Sequence, residues 1–423
     1  MMFKSLISSS VKLAQGSIIS SFILMLAMPI LTRLYDPSQF GLYGAIISIS
    51  SIISVGLFFR FELSLAKRKR YELRGYFYGA FIIISIPLSI IWFLLVYFFV
   101  SHVDEWKSSA FWITLLATLS AWTFSAFYLL TLIASKNGFL KEINNSKIKR
   151  NMLISFLQIF LGIINPTYLY LAFSEFIGRL YSVFYLFKKQ NIKIITSVKY
   201  TKTLAIRNFH YIKYSFPAAL INSVTSNTLP IFYPMIYGVG NSGVVVLVIK
   251  VLAIPISLLG QSLSTSYNGF VSKKENQEKY NEVRSALHNL ILALSAITLL
   301  FFIVVYYLLT FYYDVLFGEH WVSVGEVFLL LSPSLFFQVV FSSFSQSLNI
   351  YGLQKFQFRW DTARLLLVFS AITLPNFLTD DGIYLSLSLY SLVMSVMYIF
   401  QFLYFDRFLM KKNLEFNDSC KTC

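Results

Sequence analysis

The chain has 423 residues, of which 57% are hydrophobic, 18% aromatic and only 13% charged, about half the charged share of an average soluble domain. A soluble globule of this composition lacks the polar residues to cover its surface, so that class is excluded and the bilayer becomes the solvent. The net charge of +16 is then read by its position along membrane spans, not as a signal for nucleic acid.

Apolar runs long enough to cross roughly 30 Å of hydrocarbon recur in chain order. Lys4 and Lys12 precede the first run, which continues to Leu31 without a small-residue cleavage site, so it is expected to stay as a helix rather than to be removed as a signal peptide. Twelve spans are predicted, the first six at 11–32, 40–60, 75–100, 109–134, 150–165 and 167–187. The last two of these are separated only by Asn165-Pro166, a pair that favours a tight turn between antiparallel helices. The other six are 214–237, 243–266, 286–313, 325–349, 361–378 and 382–406.

Orientation follows from Lys and Arg, which are retained on the cytoplasmic side. With the N-terminus inside, the cytoplasmic segments hold Lys67 to Arg70 and Arg74, then Lys136 to Arg150, then the stretch 188–213. Further along they hold Lys273 to Arg284, then Lys355, Arg359 and Arg364, then Arg407 to Lys421. The opposite loops keep only Arg33 and Lys107 among basic residues and carry Asp36, Asp104, Glu105, Asp314, Glu319, Asp380 and Asp381. An even number of spans with both termini cytoplasmic is the expected topology.

The 188–213 stretch carries seven basic residues and no acidic one and reads as a linker. The expected domains are an N-terminal six-helix bundle (1–187), the basic linker (188–213), a C-terminal six-helix bundle (214–406) and a cytoplasmic tail (407–423). Six spans per half would relate the halves by an axis along the membrane normal. The expected fold class is an all-α membrane protein with twelve transmembrane helices in two six-helix bundles around a central cavity.

No G-x-x-x-x-G-K-[ST] loop is present, so the chain is not expected to hydrolyse ATP, and energy would come from an ion or substrate gradient. His102, His210, His288 and His320 have no metal-ligand spacing, and Cys420 and Cys423 form a lone C-x-x-C without a second pair of ligands. No catalytic residue, metal site or cofactor is expected, and no nucleic-acid partner.

The segment Leu13-Ala-Gln-Gly-Ser followed by Pro29-Ile-Leu-Thr-Arg33-Leu-Tyr-Asp-Pro-Ser-Gln-Phe-Gly41-Leu-Tyr resembles the N-terminal signature of the O-antigen and polysaccharide repeat-unit flippases (Wzx-like). These belong to the multidrug, oligosaccharidyl-lipid and polysaccharide exporter superfamily. Tyr214-Ser-Phe-Pro217-Ala-Ala-Leu-Ile-Asn222 through Lys250-Val-Leu-Ala-Ile-Pro255-Ile-Ser-Leu-Leu-Gly260 resembles the start of that family's second half. One departure stands out: family members often carry Gly-Arg-Tyr-Glu where this chain has Phe59-Arg60-Phe61-Glu62.

The resemblance implies a non-enzymatic flippase of lipopolysaccharide and O-antigen biosynthesis in the bacterial inner membrane. Its substrate would be an oligosaccharide repeat unit on polyprenyl pyrophosphate, turned to the periplasmic leaflet by ion-coupled alternating access. Expected partners are that lipid-linked oligosaccharide, membrane lipids, and the polymerase and chain-length regulator of the pathway. Three rivals stay open: a polysaccharide polymerase of the same pathway, a drug or cation exporter of the same superfamily, and a passive scaffold within a synthesis complex, against which costly buried charges argue. The absence of a long periplasmic loop argues against the polymerase, and the basic lean of the intramembrane charges argues against the cation exporter.

Carrying a pyrophosphate through hydrocarbon calls for buried cations, and intramembrane charges are costly and functional by default. Lys250 lies about 10 Å inside its span at 1.5 Å per residue; it either faces a cavity or snorkels along its stem. Arg179 has Glu175 one turn earlier, the favourable order for a pair, which serves substrate binding and ion coupling or simply neutralises two charges. Arg60 sits at a helix end and is carried as a substrate candidate by the family match. Glu62, two residues on, is expected to point to a different face and not to be its partner. Arg33, at the periplasmic mouth of the first two spans, is either a substrate contact or an interface anchor. Asn222, Asn227 and Gln261 are polar groups within spans that would face a sugar or bond between helices.

Overall fold

The computed structural model describes residues 2–67, 74–251, 267, 270–271, 274, 279–342, 344, 347–379 and 382–421, with side chains described from residue 16 to 415 except at 342, 349 and 354. Gln261, Pro255, Lys273, Asp380, Asp381, Cys423 and the side chain of Cys420 lie outside the described residues. Among the described residues the chain is helical, with no strand.

In chain order the helices are α1 (Met2–Leu34), α2 (Pro37–Gly56), α3 (Arg74–Ser101), α4 (Ala110–Lys136), α5 (Leu140–Ile164), α6 (Tyr168–Lys189), α7 (Val198–Arg207), α8 (Phe216–Ser226) and α9 (Thr228–Tyr237). They continue as α10 (Val239–Val251), α11 (Tyr280–Phe311), α12 (Tyr313–Phe317), α13 (Val324–Ser342), α14 (Ser347–Ile350), α15 (Gln354–Thr373), α16 (Pro375–Leu378) and α17 (Gly382–Lys421).

Eight helical segments among the described residues are long and apolar enough to cross a membrane. Three of the remaining predicted spans fall short for identifiable reasons, and most of the fourth, 243–266, lies outside the described residues. Helix α5 carries Lys141, Lys147, Lys149 and Arg150, and α6 carries Glu175 and Arg179, which lowers their hydropathy. The span predicted at 214–237 breaks into α8 and α9 at Asn227, whose side-chain amide donates to the Ser223 carbonyl at 2.8 Å. The Asn165-Pro166 turn separates α5 from α6 as the dipeptide predicts.

The chain forms two compact units, residues 15–247 and residues 248–423 with 1–14. These units follow packing, whereas the halves expected from the sequence follow span order: α8 and α9 pack against α2, within the first unit. Helix α10 also meets α2 there, at glycines. A Cβ on Gly41 would stand 2.2 Å from the Val239 carbonyl oxygen, and one on Gly243 would stand 1.7 Å from that of Pro37. Small residues allow helix backbones to touch in this way where lipid offers no hydrophobic drive for association. In the second unit α17 packs against α11, α13 and α15 and runs through Lys421, so it extends the last predicted span through the region expected as a tail.

Candidate functional site

The first unit gathers polar side chains that the sequence holds far apart. Helix α6 presents Glu175 and Arg179 one turn apart, and the two form an ion pair in which Glu175 is buried and Arg179 largely so. The Arg179 guanidinium also lies over the Phe124 ring of α4, 3.4 Å from its centroid, a cation–π contact that strengthens when water is excluded. From α2, the Tyr43 hydroxyl donates to Glu175 Oε2 at 3.1 Å. From α5, Gln158 Nε2 donates to the Tyr43 hydroxyl at 3.3 Å and to the Leu171 carbonyl at 3.2 Å. The Tyr35 hydroxyl at the end of α1 donates to the Gln158 carbonyl at 2.8 Å. Five helices therefore contribute to one network around the Glu175 carboxylate, whose two oxygens are engaged by Arg179 and Tyr43.

Two glycines make room for this cluster. A Cβ on Gly178 would stand 2.3 Å from the Ile154 side chain, so its absence lets α6 lie tight against α5. A Cβ on Gly162 would stand 2.7 Å from the Tyr35 ring. The close α5–α6 approach also brings Arg150 within electrostatic reach of both Arg179 and Glu175, and the Arg150 guanidinium lies 5.1 Å from the Phe127 ring centroid. Lys147, one turn before Arg150, donates to the Ser17 hydroxyl at 2.9 Å. The cluster thus leans basic, with three cations around one acid, the composition that an anionic group would meet.

Of the predicted site residues, the structure brings Glu175 and Arg179 together. Arg33 is exposed in the last turn of α1. Arg60 lies beyond the far end of α2, about 20 Å of helix from Tyr43 at 1.5 Å per residue. Lys250 is half-buried on α10 and belongs to the second unit.

Arg60 and Glu62 require a correction: they pair, at 3.4 Å, although helical geometry sets them on different faces. The reason is that the helix has already ended. Phe59 and Arg60 take positive φ values of 48° and 62° before a short 3-10 helix starts at Phe61, which turns both side chains to the same side. Bulky residues rarely adopt this conformation, and here the Phe59 ring is held edge-on against Phe216, 5.3 Å between centroids. Burial pushes the Glu62 carboxyl above its ordinary range, with the Arg60 guanidinium opposing the shift.

The second unit contains a further charged cluster, whose Arg364 the sequence reading counted as a cytoplasmic loop cation. Arg364 is only 3% exposed, inside the apolar segment Lys355–Leu378, and pairs with Asp361 one turn earlier at 3.2 Å. Its guanidinium stands over the rings of Trp360 and Tyr398, at 4.5 and 5.9 Å, and donates to the Tyr398 hydroxyl at 3.3 Å. At one end of the same unit Arg284 grips Asp406 through two hydrogen bonds of 2.7 and 2.9 Å, and His288 lies 2.8 Å from the same carboxylate. No described group of His, Cys, Asp and Glu could hold a metal ion.

No family model and no curated protein matches the chain. Solved structures do, over nearly its whole length. A mutant of the Vibrio cholerae MATE transporter VcmN is similar with a TM-score of 0.64 at 14% identity, covering 98% of this chain and 99% of that one. An inward-facing multidrug resistance MATE family transporter of the MOP superfamily is similar at 0.59 and 12%, covering 96% and 95%. A MOP superfamily transporter from Pyrococcus furiosus, described as having a binding pocket of reverse polarity that suggests a different function, is similar at 0.58 and 12%, covering 96% of both chains. The chain has a MATE-like fold. That fold has twelve helices in two bundles, which agrees with the fold class read from the sequence, and the eight apolar helices make the chain a multi-pass membrane protein.

Proposed function

We propose that this chain is an inner-membrane transporter that turns polyprenyl-pyrophosphate-linked oligosaccharide repeat units from the cytoplasmic to the periplasmic leaflet by alternating access. The observation that carries the reading is a MATE-like fold over 98% of the chain combined with intramembrane charge that leans basic, at Arg150, Arg179, Arg364 and Lys250. A cation exporter needs the opposite lean to attract its cargo, whereas a pyrophosphate is attracted by cations in proportion as the local dielectric falls. The sequence resemblance to repeat-unit flippases names the same substrate class.

In this reading Arg179 and Lys250 are each a cation that meets the pyrophosphate during transport, and Arg150 joins Arg179. Arg33 and Arg60 lie along the route the headgroup would take, and Glu175 either couples transport to protons or holds Arg179 in place. Both termini are cytoplasmic. The test uses cells lacking the native gene and complemented with variants at matched membrane abundance. Lys250→Arg should retain part of the surface polysaccharide, keeping the charge and adding a fork that suits phosphate, while Lys250→Ala should lose it. Full polymer from Lys250→Ala would remove that residue from the site.

A drug exporter is the second reading, favoured by the multidrug description of one matched structure. It predicts raised resistance to cationic drugs on expression, with surface polysaccharide unchanged on deletion.

A further inference from the structure

We propose that Asp361 is a proton-binding site within the second unit, so that the step energising transport is read there and not at Glu175. The inference rests on the transporter reading for its purpose, but its chemistry stands on the local geometry. Asp361 is 3% exposed and lies inside the segment Lys355–Leu378, where a carboxylate is costly unless firmly matched. Among the described residues it meets one cation, Arg364, whose Nη2 lies 3.2 Å from Asp361 Oδ1. The approach is too oblique for a hydrogen bond, so Oδ1 accepts none.

The contrast with Glu175, the buried acid of the first unit's cluster, is direct. Glu175 has Arg179 on one oxygen and the Tyr43 hydroxyl on the other, so its charged form is doubly supported. Asp361 has a single, misaligned support. Besides Arg364 on its own helix, the titratable group that faces it is Tyr398 on α17, and Tyr390 beyond it faces Tyr398 and Arg364; neither tyrosine donates a hydrogen bond to the carboxylate in the structure.

Arg364, in turn, does not depend on Asp361 alone. The rings of Trp360 and Tyr398 face its guanidinium, and the Tyr398 oxygen accepts from Nη1. When Asp361 takes up one proton, its carboxylate becomes a neutral carboxyl and no other bond changes, while Arg364 keeps its aromatic and hydroxyl contacts. The positive charge in the cluster then rises by one, which attracts an anionic substrate group. Release of the proton restores the pair. One proton is thereby linked to the electrostatics of the second unit.

The test reads the proton without any substrate, so its failure and the failure of the transport reading are separately visible. Purified full-length protein is titrated from neutral to acidic pH, and the protonated-carboxyl C=O stretch is followed by infrared difference spectroscopy. In a Glu62→Gln background, which removes the buried Glu62 carboxyl, the parent protein and the Glu175→Gln variant should both show a buried-carboxyl band, Asp361→Asn should lose it, and Asp361→Glu should show it at a shifted frequency. The glutamate variant keeps the test decisive if the asparagine variant does not fold. A band that disappears in Glu175→Gln, one that is unmoved in Asp361→Glu, or no buried-carboxyl band in the Glu62→Gln parent would each overturn the proposal.

Discussion

Replacing Glu175 by Gln leaves the Arg179 guanidinium in a site where its side chain is only 13% exposed. Breaking one side of a buried pair costs about 3–5 kcal/mol, because the surviving charge stays buried without its counter-charge. The Phe124 ring partly offsets this: a desolvated cation–π contact contributes about 2 kcal/mol and survives in Glu175→Gln, which places the expected loss near the lower figure, about 3 kcal/mol. Arg179→Gln forfeits that contact and buries an unmatched carboxylate, so it should cost more, about 5 kcal/mol by the same arithmetic. The double variant carries no buried charge and should lose much less than the sum, with a coupling energy of about 2 kcal/mol or more, inside the range for directly contacting residues. Thermal and denaturant unfolding of the four proteins in one detergent completes the cycle. Additive losses would refute the reasoning, since they would mean that neither charge senses the other and that the pair does not hold α6 in place.

Other outcomes follow from single features of the fold. Gly243→Ala should destabilise the first unit by about 1–3 kcal/mol, the cost of overpacking, because the new methyl would meet the backbone oxygen of Pro37; unfolding of the purified variant checks it. The raised pKa of Glu62 means that its contribution to stability is fully present below the unfolded value of 4.5 and is lost as pH rises through the higher folded value. Glu62→Gln should therefore flatten the stability profile over that window, and an unchanged profile would contradict the shift. Asp406→Asn should loosen the α11–α17 contact by about 1 kcal/mol, given the partial exposure of Arg284, and hydrogen exchange at the first turns of α11 should rise accordingly.

The helices and their limits were largely legible in the sequence because lipid imposes a local rule: a span must be apolar for its whole length. Asn165-Pro166 marks its turn for the same local reason. What the sequence hides is set by contacts between distant positions. Tyr43, Gln158 and Glu175 meet across 132 residues, and no periodicity announces a meeting between three helices. Arg150 and Arg364 look like the edges of basic loops because the helices carrying them begin with other cations, yet packing places Arg150 beside Arg179 and buries Arg364 over Trp360. Arg60 and Glu62 pair because two residues leave the helical region before the expected end of the span. That departure is readable only as a mismatch, since Phe59 stands where the resembling family often has glycine, the residue that takes positive φ without strain. The glycines at 41 and 243 are visible in the sequence, but which backbone each one admits is known only from the packing of α10 on α2.

The most direct test of the transport reading places the purified chain in liposomes that carry a polyprenyl-pyrophosphate-linked oligosaccharide in both leaflets, with a membrane-impermeant glycosidase outside. Without exchange between leaflets, cleavage stops once the outer pool is consumed. The account predicts that the chain carries the inner pool outward, so that cleavage runs to completion, and that Arg179→Gln/Glu175→Gln and Lys250→Ala proteins slow it. Cleavage that halts at the outer pool in liposomes shown to contain folded protein, under an imposed pH gradient, would contradict the account.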